Sequence, residues 1–550
     1  MNGPGTITDA LIAAGSSDRG IRAIEHDGRS LLLSYNTLLS ESLRVAGALH
    51  ARGLVPGDRV ALVVPEVSEF IRAFFGITAA GLVPVPLCPP AQAGDLPTFA
   101  RQSRHILVAS RASAVVTSED VAPLLDVSGI DGLAVLTIES LRGGPAIAVP
   151  TRVPLNAPAL LQFTSGSTAA PKGVVLTHAN LHANARAIAG PRGLDARPTD
   201  IGVSWLPLYH DMGLIGMLLS AVYTCVDTVV MSPVLFLKRP TAWLEAISTY
   251  RGTVSFAPNF AYELCLRRVK PSQIDALDLS SWRLAGCGAE PIRPDTLRAF
   301  AERFARAGFR ASSFVASYGL AEHSLAVAFG RDGIHEDAVD AQQLVHHSIA
   351  VPSVNGSTRV VRLVGCGHAL PGHELKIVDD EGRTLPERHL GSILARGPSV
   401  MQGYFEDPVA TAVALRDGWL HTGDLGYLAD GQLFVCGRTK DLIIRQGRKY
   451  HPPDLESAIA DLPGVRSSGV VVFGISRIDE PDEVVAVLEA RASIASDGVV
   501  EQARRRVRET AGLELDRVVV TPPGTIPRTT SGKVRRAETR DRYLAGTLER

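Results

Sequence analysis

Gly57 to Leu87 reads GDRVALVVPEVSEFIRAFFGITAAGLVPVPL. A short β-rich run (Val60 to Val64) leads into an amphipathic helical pattern (Glu66 to Ala80), then into a second strand-like run (Leu82 to Leu87). That order is the signature of a βαβ unit, in which a helix carries the chain between two parallel strands. Parts of it recur at Ala114 to Thr117, at Thr228 to Met231 followed by Pro240 to Tyr250, and at Thr253 to Phe256 followed by Ala261 to Val269. The alternation predicts mostly parallel sheets covered by helices, with functional loops at the C-terminal ends of the strands.

A chain of 550 residues exceeds what one hydrophobic core usually supports, so two or more domains are expected. Its 45% hydrophobic and 21% charged residues exclude disorder as the main state. Lys and Arg (56) balance Asp and Glu (57), so no global field recruits nucleic acid or an anionic membrane. Met212 to Phe236 carries Asp227 and Pro233, and Ala73 to Pro90 is broken by Gly76, Gly81 and four prolines; both read as buried helix and strand rather than as a membrane span. Six scattered cysteines without a CxxC pair, and an N-terminus without a basic start or apolar h-region, predict a reducing, cytoplasmic setting.

A Gly/Pro-rich passage, Arg142 to Pro158, separates the first βα region from the loop that starts at Thr164. Cys366 to Val435 holds short alternating segments with turn signals, which predict a small antiparallel barrel or sheet. After Arg438 a helix is expected at Pro453 to Leu462, strands at Ser468 to Phe473 and Glu483 to Glu489, and a helix at Gly498 to Gly512. A basic, turn-rich tail, Thr525 to Arg540, ends the pattern. The expected fold class is α/β: a large N-terminal domain of stacked, mostly parallel sheets with helices plus a small β-barrel, residues 1–437, and a small α+β lid domain, residues 438–550.

Thr164 to Gly173, TSGSTAAPKG, follows the apolar run Ala157 to Phe163. Glycines, hydroxyl residues and a lysine suit a polyphosphate, while a flexible surface loop has the same composition. The Walker pattern fails, because Pro171 replaces its second glycine and Gly173 its Ser/Thr. No G-x-S-x-G occurs; GCGAEP at Gly286 and GCGHAL at Gly365 lack the third glycine of a dinucleotide site; His346 and His347 read as a solvated loop.

Eight segments then stand in one order: TSGSTAAPKG, SWLPLYHDMG (204–213), GAEP (288–291), SYGLAEHS (317–324), RGPSVMQGYF (396–405), WLHTGDLGYL (419–428), GRTKDLI (437–443) and PRTTSGK (527–533). Over nearly its whole length the sequence resembles the adenylate-forming superfamily of acyl-CoA synthetases, nonribosomal adenylation domains and luciferase, and within it a fatty acyl-AMP ligase. The resemblance implies ATP-dependent attack of a carboxylate on the α-phosphorus, where both reactants are anionic and catalysis rests on positioning and charge neutralisation. It implies ATP and Mg²⁺ as cofactors. The loop residues Thr164, Ser165, Gly166, Ser167, Thr168 and Lys172 would close over the phosphates, with Thr168 and Glu322 near the metal. Ser317, Tyr318, Gly319, Leu320, Gly288, Ala289 and Glu290 would surround adenine, and Asp424 and Arg438 would hold the ribose. Lys533 would be the catalytic cation; His210 would wall the carboxylate pocket, with Met212, Phe256 and Asn259 toward the acyl chain. Lys440 would be the hinge between an adenylating pose and a thioester-forming pose. Read without the resemblance, Asp424 and Arg438 are a loop salt bridge, His210 a satisfied buried imidazole, Tyr318 core packing and Lys533 one more cation in a basic tail.

PNFAY offers no aspartate for an α-amine, so a fatty acid is the expected substrate rather than an amino acid. The segment Arg331 to Val361 falls where the fatty acyl-AMP ligases carry an insertion that restricts the CoA-forming pose, and Ile444 stands where luciferase and some CoA-forming relatives place a lysine. Both imply transfer to the phosphopantetheine thiol of an acyl carrier protein or a polyketide synthase carrier domain. An acyl-CoA ligase, a non-catalytic nucleotide or lipid sensor and a luciferase-like oxygenase are the alternatives. Ala169 and Cys287 depart from the glycine and asparagine usual at their positions.

Overall fold

The computed structural model describes residues 5–90, 96–164, 171–354, 360–445, 448–477, 480–490, 496–528 and 533–548. Strand Arg59–Val63 pairs in parallel with Val83–Pro86 across helix Val67–Ala79, so the βαβ reading of Gly57 to Leu87 holds. Ala114–Thr117 and Ala134–Thr137 extend this parallel sheet. Both faces are covered: Val60 and Leu62 pack into one apolar cluster, Ala61 and Val63 into another. Double coverage is why this strand reads as an unbroken apolar run.

A larger sheet of nine strands runs in the order His368–Ala369, Ala326–Gly330, Phe314–Gly319, Leu284–Gly288, Val254–Ala257, Ile201–Ser204, Asp227–Met231, Gly20–Ile24, Ser30–Ser34. The strands from Phe314–Gly319 to Gly20–Ile24 are parallel, and antiparallel strands close both edges. Helices Tyr35–His50 and Val67–Ala79 contribute to the apolar layer between the two sheets. On the opposite face an aromatic cluster fills the interior: the Trp205 ring stacks on Phe236 at 3.9 Å, and Trp243 meets Tyr262 and Trp282 edge-on.

The alternating segments of Cys366 to Val435 pair as an antiparallel sheet of Glu374–Val378, Gly391–Arg396, Trp419–Ala429, Leu415–Arg416 and Gln432–Arg438. Among the described residues its pairings make a sheet, with no pair joining its outer strands. It docks on the large sheet through Tyr318, Val327, Ile377 and Ile393.

Beyond residue 442 the chain builds a core of its own from Ile443, Tyr450, Leu455, Val472, Val484, Ala503 and Leu513. Helices Pro452–Ile459 and Ser496–Ala511 and strands Val465–Arg477 and Glu480–Ala490 lie where the sequence predicts them. The tail differs, because Arg536–Leu544 is a helix and not a turn-rich run. Its five charged residues mask the period, and it packs through Tyr543 onto Phe473 at 5.9 Å.

Among the described residues, no helix is long and apolar enough to cross a membrane. Trp243 is fully buried, and its indole N–H donates to Ser255 Oγ at 2.8 Å. Trp243→Ala is expected to cost about 3–5 kcal/mol of stability, read as an earlier urea midpoint at an unchanged slope.

Candidate active site

The site is assembled at the C-terminal ends of neighbouring parallel strands, where loops converge over the sheet. Strand Leu284–Gly288 places Gly288 beside Ser317 in the next strand. A Cβ on Gly288 would lie 2.2 Å from Ser317 Oγ, so only glycine lets the two backbones approach. Ala289 then takes a left-handed φ of 68°, and the chain turns Glu290 back toward helix Asn259–Arg268. Glu290 Oε1 accepts the Phe260 N–H at 2.6 Å, and Asn259 Oδ1 accepts the Arg293 N–H at 3.0 Å. Burial pushes the Glu290 carboxyl above its ordinary range.

Across the neighbouring sheet Asp424 stands directly opposite Arg438 in an antiparallel ladder. Arg438 Nε donates to Asp424 Oδ1 at 3.1 Å, and the Tyr318 hydroxyl donates to Oδ2 at 2.7 Å. Asp424 is buried while Arg438 keeps half its side chain exposed. The ion pair read from the sequence alone is therefore present, and each carboxylate oxygen keeps a lone pair for a further donor.

His210 and Asp211 follow strand Ile201–Ser204 through the turn LPLYHD. His210 Nδ1 lies 2.7 Å from Asp211 Oδ1, which also accepts the Met212 N–H at 2.7 Å and opens the π-type helix Met212–Leu219. Burial raises the Asp211 carboxyl, but His210 and Lys533 outweigh it and hold the group below its ordinary range. Met212 and Phe256 are buried in one apolar cluster with Trp205. Asn259, expected along the acyl chain, is buried with its side-chain oxygen engaged by Arg293.

Thr164 and Lys172 are cross-strand partners of the hairpin Pro158–Thr164/Lys172–Thr177. The expected phosphate residues Ser165, Gly166, Ser167 and Thr168 lie outside the described residues. Lys172 Nζ sits 5.0 Å from the centre of the Tyr404 ring, whose hydroxyl donates to Glu322 Oε1 at 2.8 Å. Tyr404 thus joins the lysine and the carboxylate. Gly319 and Leu320 make the tight turn before Glu322: a Cβ on Gly319 would lie 2.0 Å from Leu325 O, and the Leu320 N–H donates to that oxygen at 2.8 Å. Behind Glu322, His323 is fully buried, and its ring lies 4.9 Å from His373, whose Nε2 is 2.7 Å from Ser399 Oγ. Glu322 offers one hard carboxylate; Mg²⁺ takes one or two such groups plus substrate phosphates and water, so this residue fits the ion.

Lys533 reaches the site from the other end of the chain. Its neighbour Val534 bridges Arg528, and the Arg535 N–H donates to Pro527 O at 2.9 Å. Desolvation holds the Lys533 ammonium below the ordinary lysine range, while Asp211, Glu290 and Asp424 oppose that shift and Arg438 adds to it. Three carboxylates from three separate segments, a helix start, a bend after a strand and a strand, therefore act on one ammonium. Lys440 is exposed in the turn Thr439–Asp441.

Sequence reasoning missed Asp211 and Tyr404. Both stood in segments already singled out, HDMG and MQGYF, but only the folded chain shows whom they touch.

Residues 16–405 match the family described as AMP-binding enzyme. A Caulobacter vibrioides protein carrying the provisional name acyl-CoA synthetase is 39% identical over 98% of this chain and 96% of its own length. The medium-chain-fatty-acid–[acyl-carrier-protein] ligase JamA of Moorena producens is 35% identical over 94% of this chain and 90% of its own. A solved structure from work on fatty acyl-adenylate ligases of E. coli and L. pneumophila superposes with a TM-score of 0.92 at 39% identity, covering 98% of both chains.

Three buried histidines are held neutral by burial: His323 with a pKa lowered to about 3, and His178 and His451 to about 4. The unfolded chain binds protons at these positions below pH 6.5 and the folded chain does not, so stability is full above 6.5 and falls as the pH drops toward 4. Each contributes a slope of about 1.4 kcal/mol per pH unit, and His178→Asn is expected to remove one such increment in urea titrations across that range.

Proposed function

The chain belongs to the AMP-binding enzyme family, and from that membership we propose that it joins a fatty acid to ATP, releasing pyrophosphate. The acyl-adenylate then passes its acyl group to the phosphopantetheine thiol of an acyl carrier protein or polyketide synthase carrier domain. The observation that carries this reading is the position of Lys533 in the field of Asp211, Glu290 and Asp424. Such a cluster leaves a cation poised over a cleft that otherwise repels the phosphates and the carboxylate entering it.

In this reading the fatty acid carboxylate attacks the α-phosphorus, and one of its oxygens becomes the bridge of the mixed anhydride as the pyrophosphate oxygen leaves. Lys533 neutralises the charge gathering on the α-phosphate and the carboxylate together, which a neutral side chain cannot do. His210, oriented by Asp211, walls the carboxylate pocket. Met212 and Phe256 face the acyl chain, and each methylene buried there contributes about 0.8 kcal/mol. Ser317, Tyr318, Gly319, Leu320, Gly288, Ala289 and Glu290 form the adenine pocket; Asp424 and Arg438 take the ribose hydroxyls. Thr164 and Lys172 bracket the phosphate loop. Bound Mg²⁺ would neutralise phosphate charge, and Glu322 would hold it.

We further propose that residues 1–437 and 438–550 are separate domains that turn about Lys440. The separate core beyond residue 442 supports this. Helix Ala341–His347, inside the segment Arg331 to Val361, sends Val345 against that core. A strut there favours one pose of the small domain, which supports carrier-protein transfer over CoA transfer. The relative named as an acyl-CoA synthetase favours the second reading, acyl-CoA formation.

Incubation with ATP, labelled fatty acids and CoA separates the two: acyl-AMP accumulating without acyl-CoA supports the first, and rapid acyl-CoA formation overturns it. Lys533→Ala is expected to slow fatty acid-dependent pyrophosphate exchange by about 10²–10³-fold; unchanged exchange removes the catalytic assignment. Because the Lys533 pKa is lowered, the rate should fall on the alkaline side below the 10.5 of an ordinary lysine. Lys533→Arg, whose guanidinium does not titrate there, is expected to abolish that limb of the pH profile at lower turnover.

A further inference from the structure

On either side of Lys533 the described chain is fastened by paired charge, at Gly524 and Ile526 and at Arg536. At the start stands Glu489, fully buried on strand Glu480–Ala490. Its Oε1 accepts the N–H groups of Gly524 and Ile526 at 2.9 and 3.0 Å, and its Oε2 accepts Arg466 Nη1 at 3.0 Å. At the far end Arg536 forks between two carboxylates: Nη1 donates to Asp441 Oδ2 and Nη2 to Glu456 Oε1, both at 2.7 Å. Its Nε donates to Val472 O at 3.0 Å, and the Val472 N–H returns to Glu456 Oε1 at 2.9 Å. The side chains of Arg536, Asp441 and Glu456 are 18%, 19% and 12% exposed. These five groups are distinct from Asp211, Glu290, Asp424 and Arg438, the charges that act most on Lys533.

Stability alone does not call for this arrangement. Burying ion pairs is expensive, and apolar residues of similar volume often stabilise as well or better. What a forked guanidinium adds is direction, because two carboxylates and a carbonyl fix its plane and leave it one position. Arg536 is three residues from Lys533, so that position is handed on through a short length of chain. Asp441, its partner, lies next to Lys440 in the turn Thr439–Asp441.

We propose that Arg536, with Asp441 and Glu456, is a positioning residue for the first half-reaction: it sets the register of the Lys533 loop against the turn about which the small domain moves, while Glu489 fixes the other foot. This rests on the role given to Lys533 under the proposed function. The physical consequence is selective. Loss of the fork misplaces the ammonium without altering the nucleotide pocket, and a displacement of about 1 Å at a reacting group costs about hundredfold in rate.

The test uses the full chain carrying Arg536→Gln, Arg536→Lys or Asp441→Asn. Arg536→Gln is expected to lower kcat of pyrophosphate exchange about hundredfold, with KM for ATP and the rate of acyl transfer from supplied acyl-adenylate to pantetheine both nearly unchanged. Arg536→Lys, which keeps the charge and loses the fork, is expected to recover part of that rate. In a Lys533→Ala background Arg536→Gln is expected to cost nothing further. Equal loss of both half-reactions, or additive losses with Lys533→Ala, overturns the proposal. A readout independent of activity is amide exchange: Arg536→Gln should speed exchange in residues 524–535 while strands Val465–Arg477 and Glu480–Ala490 keep their protection. Unchanged exchange there, or loss of protection throughout the small domain, also overturns it. If the unmodified protein gives no exchange with a panel of saturated fatty acids, the proposed function fails, and the amide-exchange result still decides whether Arg536 holds the loop.

Discussion

The desolvated ammonium of Lys533, in the field of Asp211, Glu290 and Asp424, is the interaction around which the described structure is arranged. Each of the three carboxylates is fixed by a different local device. Asp211 starts a π-type helix, Glu290 caps the helix Asn259–Arg268, and Asp424 is locked between Tyr318 and Arg438. Such anchoring matters because unpaired carboxylates would otherwise relax toward water or protonate, and the cation would lose the field that holds it. Asp211 and Glu290 follow strands of the large sheet, Ile201–Ser204 and Leu284–Gly288, and Asp424 stands on the antiparallel sheet docked on it.

A parallel sheet suits this task. Its strands end together on one edge, so residues far apart in sequence meet without long loops. Gly288 and Ser317 show the cost of bringing them close: their backbones pair with no room for a Cβ. Tyr404 shows the same economy at the Thr164/Lys172 hairpin, where an added short strand brings one ring under Lys172 and one hydroxyl to Glu322. The small unit beyond residue 442 has its own core, so Lys533 stands on a unit that belongs to neither sheet.

The strand-helix-strand reading of Gly57 to Leu87 was legible because both faces of its strands are buried and leave an uninterrupted apolar run. The helices and strands of the small unit were legible from the same kind of pattern. The tail helix Arg536–Leu544 was not, since so many of its residues carry charge that no apolar period stands out. Among the proposed site residues, Lys533, Tyr318, Asp424 and Arg438 were nominated through motif order rather than through any local physical signal. Arg536 and Glu489 escaped entirely: charged residues normally read as surface, and only the folded chain reveals that Glu489 is buried, that Arg536 is partly so and that both are paired.

The sequence by itself determined the sheet class, the order of the segments and the chemical types available to the site, because these follow from local periodicity and from residue identity. The tertiary structure alone decided which charges meet. Coulomb interactions and desolvation depend on distances across the fold, and those are set by strand order and packing between residues as remote as 211 and 533, which no local pattern encodes.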